Sequence, residues 1–297
     1  MKTILSLIAC LLIVMQTEAQ TAKSFRTSDG ETLYYTTKGK GSKVIFLYGG
    51  PGIAAGPLQT WADSLSDNFE CIIFEQRGTG LSGNAKLDST TINLKRATRD
   101  LDDLRKHLGE NQLTLCGISW GGGLAQAFAS YYPEKTKKIV LVCSMGPDLS
   151  LMQAFRDNMR MRRFPNESDS LNFWNKQPDS DYSQMKRNFF SYLADFYDHD
   201  IGYRMLPKFF AAATYHNQMS NLMWADLNKN YDLTSKLKAY HGKCIIIKTR
   251  QDVMPGETVY QIKEILPQTE VRTIEKCGHF PDYEKPIEFF KILREIL

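Results

Sequence analysis

The stretch Leu-Thr-Leu-Cys-Gly-Ile-Ser-Trp-Gly-Gly-Gly-Leu-Ala-Gln-Ala-Phe-Ala-Ser-Tyr-Tyr, residues 113–132, carries an apolar run, a serine between glycines and a small-residue helix in immediate succession. Leu113 to Cys116 reads as a short buried strand, and Leu124 to Tyr132 as a helix stopped by Pro133. Between them, Gly117-Ile118-Ser119-Trp120-Gly121 has the GxSxG spacing. A serine held on so sharp a strand-to-helix turn needs glycine on both sides, because a Cβ there would meet the neighbouring backbone.

Outward from this stretch the pattern keeps alternating. Upstream, Phe25 to Thr27 and Thr32 to Thr37 flank the turn Ser28-Asp29-Gly30-Glu31, which predicts a β-hairpin. Lys43 to Tyr48 and Cys71 to Phe74 predict strands, with a helical stretch around Leu58 to Leu65 between them. Thr91 to Leu108 has the spacing of an amphipathic helix, stopped by Gly109. Downstream, Lys138 to Cys143 predicts a strand, and the series resumes with a strand at Cys244 to Thr249, a helix at Glu257 to Leu266, a strand at Val271 to Ile274 and a helix at Ile287 to Leu297. Alternating strands and helices imply an α/β fold, a mostly parallel sheet with helices on both faces, since parallel neighbours need crossover connections. The opening hairpin would be its antiparallel edge. Residues 146–231 break the pattern with long helical stretches rich in Met, Phe, Tyr and Trp, which predicts a helical lid inserted into a core made of residues 20–145 and 232–297.

Composition narrows the function. The chain has 297 residues, 42% hydrophobic and 24% charged, ordinary values for a globular protein with one large core. A net charge of +4, with Lys and Arg scattered among Asp and Glu, gives no footprint for nucleic acid. The densest basic stretch, Arg156 to Arg163, is expected to be a solvated helix face. Lys2, the apolar run Ile4 to Met15 and the polar residues up to Ala19 read as an export signal, residues 1–19, cleaved before Gln20. That run is shorter than the roughly 20 residues a spanning helix needs, so no stable membrane anchor is expected. Beyond the signal, Cys71, Cys116, Cys143, Cys244 and Cys277 read as buried small hydrophobes.

A serine hydroxyl is a poor nucleophile at neutral pH; it needs an imidazole to take its proton and a carboxylate to fix the imidazole's tautomer. Ser119 is the expected nucleophile. His279, after the strand Val271 to Ile274, is the expected base, and Asp252, after the strand Cys244 to Thr249, the expected acid. Asp148, just beyond Cys143, is the alternative acid. His107, His199, His216 and His241 lack the strand-end context. The tetrahedral oxyanion needs two N–H donors. Trp120, next to the nucleophile, supplies one, and the glycine run after Tyr48 supplies the other from Gly50, with Gly49 as the competing position. No Gly-Lys-Ser or Gly-Lys-Thr follows that run, which argues against a phosphate cradle.

Together Gly49 to Gly52, Glu75-Gln76-Arg77-Gly78-Thr79-Gly80, Gly117 to Gly121, Asp252 and Gly278-His279-Phe280-Pro281 resemble the proline iminopeptidase-like branch of the α/β-hydrolases, over the whole mature chain except the lid. The resemblance implies the α/β-hydrolase fold, an eight-stranded sheet, and release of an N-terminal residue, often proline, from a small peptide through an acyl-enzyme. It also implies that Arg77 is a structural brace, and that lid carboxylates hold the substrate's free amino group; Asp195, Asp198, Asp200 and Asp226 are available. Two positions depart from the family pattern: Tyr48 stands where His is usual, and Glu75 where Asp is usual.

The lid aromatics Trp174, Phe189, Phe190, Tyr192, Phe196, Phe209, Phe210 and Trp224 either pack the lid or line an apolar pocket. In the second case a carboxylic ester or lactone is the alternative substrate. A noncatalytic binding protein on the same fold is the remaining alternative, disfavoured by the intact serine, acid and base. The histidines lack metal-ligand spacing, so neither a metal nor another cofactor is expected.

Overall fold

The computed structural model describes residues 21–297; the expected signal lies outside them. Strands β1 (Thr21–Arg26) and β2 (Thr32–Lys38) form the predicted hairpin, with Phe25 opposite Leu33. β3 (Ser42–Leu47) and β4 (Phe69–Phe74) enclose helix α1 (Gln59–Leu65). Helix α2 (Leu94–His107) starts later than Thr91, because the Asn93 side chain caps it by accepting from the Arg96 amide at 2.8 Å. β5 (Leu113–Ile118), α3 (Trp120–Tyr131) and β6 (Thr136–Val142) follow.

The eight strands are ordered β1-β2-β4-β3-β5-β6-β7-β8, where β7 is Lys243–Thr249 and β8 is Glu270–Ile274. β2 runs antiparallel to both neighbours, and every other pairing from β4 to β8 is parallel. The central strands are buried on both sides, which explains their unbroken Val, Ile, Leu and Phe runs. Successive residues feed opposite faces, as strand geometry requires. Ile45, Leu47, Leu115, Ile139, Leu141 and Ile246 pack with Leu101, Leu104, Leu124 and Phe128 of α2 and α3 on one face. Val44, Phe46, Cys116, Val140, Ile245 and Ile247 pack on the other with Trp61 of α1 and with Phe289 and Leu293 of the C-terminal helix.

Between β6 and β7 lie five helices: α4 (Met152–Met161), α5 (Pro165–Asn175), α6 (Asp181–Tyr192), α7 (His199–Ala212) and α8 (Asn217–Asn230). Helix α9 (Glu257–Ile265) links β7 to β8, and the chain closes with α10 (Pro281–Glu284) and α11 (Pro286–Ile296). No helix of the described residues is long and apolar enough to cross a membrane. The five cysteines among these residues are buried and unpaired.

Two expectations need correction. Helix α3 begins at Trp120 rather than Leu124. Gly121, Gly122 and Gly123 belong to its first turn, because added Cβ atoms there would meet the Leu47 carbonyl, the Ser144 side chain and the Met145 side chain. The basic stretch is solvated only at Arg156 and Arg160. Arg162 is partly buried, and its guanidinium donates to the carbonyls of Gln251 and Phe196, tying the end of α4 to the loop after β7.

Candidate active site

Ser119 occupies the single-residue turn between β5 and α3 with φ 57° and ψ −123°, a conformation a non-glycine residue adopts only under constraint. Its amide donates to the Val142 carbonyl at 3.0 Å, and its carbonyl accepts from Gly122 at 3.1 Å. A Cβ on Gly117 would enter the backbone of Gly121, and one on Gly121 would enter the carbonyls of Leu47 and Tyr48. The flanking glycines thus let α3 seat directly on the ends of β3 and β5, lifting Ser119 above the sheet.

His279 and Asp252 sit on loops after β8 and β7. The His279 Nδ1 lies 2.7 Å from Asp252 Oδ1, and the same oxygen accepts from the Met254 amide at 3.0 Å. Both residues are buried. Asp148, the alternative acid, instead accepts from the Ser150 amide and hydroxyl at 2.8 and 2.5 Å and lines a separate cleft with Thr234. The other histidines are occupied elsewhere: His107 stacks on Phe25, His199 pairs with Glu167 at 2.8 Å, and His216 accepts from the Gly80 amide. His241 lines a groove beside β7 and away from Ser119.

Ser119 and His279 line one cavity of about 240 Å³ together with Tyr48, Gly49, Gly50, Ile53, Ile118, Phe155, Met159, Tyr192, Asp195, Phe209 and Phe280. His279 Nδ1 is engaged by Asp252, and no hydrogen bond joins the Ser119 hydroxyl to the imidazole. Gly49 packs closest to the serine: a Cβ added to it would lie 3.0 Å from Ser119 Cβ. No hydrogen bond from the amides of Gly49, Gly50 or Trp120 is found among the described residues, and Gly49 and Gly50 line the cavity.

Of the four lid carboxylates, only Asp195 reaches the cavity. Asp198 caps α7 through the amides of Asp200 and Ile201, Asp226 accepts from Leu94 and Asn230, and Asp200 is exposed. Of the eight lid aromatics singled out in the sequence, Tyr192 and Phe209 line the cavity; Phe196 packs against Phe280 at 5.2 Å. Phe155 and Met159, which sequence reasoning missed, project from α4 at i, i+4 spacing, and that spacing beside Gln153, Arg156, Asp157, Asn158 and Arg160 was the available signal.

The lid is stitched to the histidine loop. The His279 amide donates to the Asp195 carbonyl. Glu284 accepts from the amides of Tyr197 and Asp198, each at 2.9 Å, and from Gly278 at 2.6 Å. Burial raises the Asp195 carboxyl from 3.8 to about 7, against the lowering influence of the nearby His279 charge. Burial by itself pulls the His279 imidazole down, but the Asp252 charge and hydrogen bond, with the charges of Asp195 and Asp282, outweigh it and hold His279 above 6.5.

Cys143, Asp252 and His279 are the one grouping of three metal-ligand types found among the described residues, with ligand atoms within 4.8 Å of one another. All three are buried, burial pushes the Cys143 thiol well up, and the facing Asp252 and His279 atoms are already spent on each other. That donor set fits a neutral thiol packed behind a hydrogen-bonded pair better than a cation.

The sheet order, the strained serine turn and the loops that bring acid and histidine to it define a class. A family model described as the alpha/beta hydrolase fold matches residues 43–286, and the chain belongs to that family. Within it the chain is similar to a proline iminopeptidase of Heyndrickxia coagulans, 25% identical over 276 residues that cover 89% of this chain and 93% of the relative. A proline iminopeptidase of Arabidopsis thaliana is 35% identical over 129 residues, 42% of this chain and 33% of that one. The solved structure of an alpha/beta fold family hydrolase from Bacillus anthracis str. Sterne shares the fold with a TM-score of 0.75 at 18% identity, covering 94% of this chain and 99% of that one.

Proposed function

We propose that the protein is an exported serine hydrolase that works through an acyl-enzyme and releases N-terminal residues from small peptides. The observation that carries the serine mechanism is the buried His279–Asp252 hydrogen bond of 2.7 Å at the wall of the cavity that Ser119 lines. Asp252 holds the proton on Nδ1, leaving Nε2 to take the Ser119 proton as Oγ attacks the scissile carbonyl. The amides of Trp120 and of Gly50, or its neighbour Gly49, stabilise the resulting oxyanion. His279 then protonates the leaving amine, and water, activated by the same imidazole, releases the acyl group from Ser119.

Asp195 supports the aminopeptidase reading. It is the one carboxylate residue among those lining a largely apolar and aromatic cavity, and its ionised form would offer a charge partner to a free ammonium group. The proline iminopeptidase relatives point the same way. The aromatic lining favours a second reading, an ester or lactone with a compact apolar acyl group, on the same nucleophile. Turnover of proline 4-nitroanilide against 4-nitrophenyl butyrate, with Ser119→Ala as control, separates them. Anilide turnover lost in the variant is the expected result; ester turnover alone, equally lost, would keep the serine mechanism and sink the peptidase.

A further inference from the structure

The Glu75-Gln76-Arg77 run has divided duties. Arg77 is held by buried Asp100 at 2.7 and 2.8 Å and by exposed Asp29 at 3.0 Å, and it does not line the cavity. Glu75 accepts from the Ala55 amide at 3.2 Å. Gln76, between them, points elsewhere. Its Nε2 donates to the Tyr48 carbonyl at 3.0 Å, and its Oε1 accepts from the Trp120 indole N–H at 2.9 Å. The orientation is unambiguous, since a carbonyl only accepts and an indole N–H only donates. Gln76 is 5% exposed and Trp120 1%, so water does not substitute for either bond.

The two partners are significant for where they stand. Tyr48 immediately precedes Gly49 and Gly50, and Trp120 immediately follows Ser119. These residues come from different elements, the end of β3 and the start of α3, and their amides are the proposed oxyanion donors. We infer that Gln76 is a positioning residue whose single side-chain amide fixes the spacing of the two oxyanion donors by bridging the Tyr48 carbonyl and the Trp120 indole. The inference rests on the serine-hydrolase reading above. Removing a donor outright costs about 10²–10³ in kcat in characterised serine hydrolases, so a displaced pair should cost a part of that.

The test compares Gln76→Met, which keeps the bulk and loses both bonds, with Gln76→Glu. An ionised Glu accepts from the indole but repels the Tyr48 carbonyl; a protonated Glu restores both bonds, and burial brings its titration towards neutral pH. The expected result for Gln76→Met is a kcat roughly 10- to 100-fold down with KM within about threefold of wild type. For Gln76→Glu, the deficit relative to wild type at the same pH should shrink as pH falls from 8 to 6. If the Met variant fails to fold, the Glu variant decides alone. A folded Gln76→Met enzyme with wild-type kcat, a loss confined to KM, or a Gln76→Glu deficit equal at every pH would overturn the inference. Wild-type protein without Ser119-dependent turnover would instead overturn the hydrolase reading, and the inference with it.

Discussion

The backbone amide of His279 donates to the carbonyl of Asp195, so one hydrogen bond sets the position of the imidazole and of the lid carboxylate that shares its cavity. The lid is therefore part of the site's construction as well as its cover. If His279 and Asp195 act as proposed, a single turn couples substrate choice to proton transfer, and the consequences can be measured.

Asp195→Asn keeps the shape and the backbone bond while removing the charge. Loss of a largely desolvated ion pair should cost an amine-bearing substrate about 2–3 kcal/mol, roughly 30- to 150-fold in kcat/KM. Turnover of 4-nitrophenyl butyrate should change by less than about threefold. Equal loss with both substrates would show Asp195 to be a structural group only.

The pH profiles should differ in the same sense. In the proposed mechanism His279 acts as base when neutral, and the Asp252 charge raises its pKa, so kcat/KM for any substrate should fall as the imidazole protonates on acidification. The proposed pairing of Asp195 with an ammonium group needs the ionised carboxylate, which its pKa of about 7 confines to neutral and higher pH. An amine substrate should therefore lose activity with two protonations and a neutral ester with one. Identical acid limbs for both would remove Asp195 from substrate binding.

Stability carries the opposite sign. Asp195 is raised from 3.8 to about 7 on folding, so the folded state favours the protonated form, and that contribution fades as pH rises from about 4 through 7. At about 1.4 kcal/mol per unit, the ionised carboxylate costs up to about 4 kcal/mol at pH 8. Asp195→Asn should raise Tm relative to wild type at pH 8, with the difference shrinking towards pH 4. A Tm difference that does not vary with pH would contradict the burial cost.

Gly278→Ala tests the stitched turn. A Cβ there would drive into the Asp195 carbonyl and come within 2.7 Å of Tyr197 N and 2.9 Å of Phe196 C, all backbone that cannot swing aside. The expected outcome is a destabilisation of about 1–3 kcal/mol by chemical unfolding and at least a tenfold fall in kcat/KM. Wild-type values would mean that the turn moves freely.

The sheet, the sharp turn at Ser119 and the strand-end loops that carry Asp252 and His279 were readable in the sequence because each rests on local pattern. Strand runs such as Val44 to Leu47 must be continuously apolar when both faces are covered, and Ser119 must be flanked by glycine when its backbone is so tightly turned. The start of α3 was misplaced because Gly121 to Gly123 look like a loop in one dimension, and only packing against Leu47 and Ser144 shows why a helix needs them small. Arg162 read as a solvated charge because nothing local reveals the Gln251 carbonyl it reaches. Asp195 could not be separated from Asp198, Asp200 and Asp226 for the same reason: which carboxylate faces the cavity depends on how the lid returns to His279.

Every proposed step begins at Ser119 as the nucleophile, and intact-protein mass spectrometry after treatment with a fluorophosphonate tests that role most directly. The predicted result is one phosphonyl adduct, mapped to Ser119, absent from Ser119→Ala and strongly slowed in His279→Ala. No adduct on the folded wild-type protein, or an adduct at another residue, would contradict it.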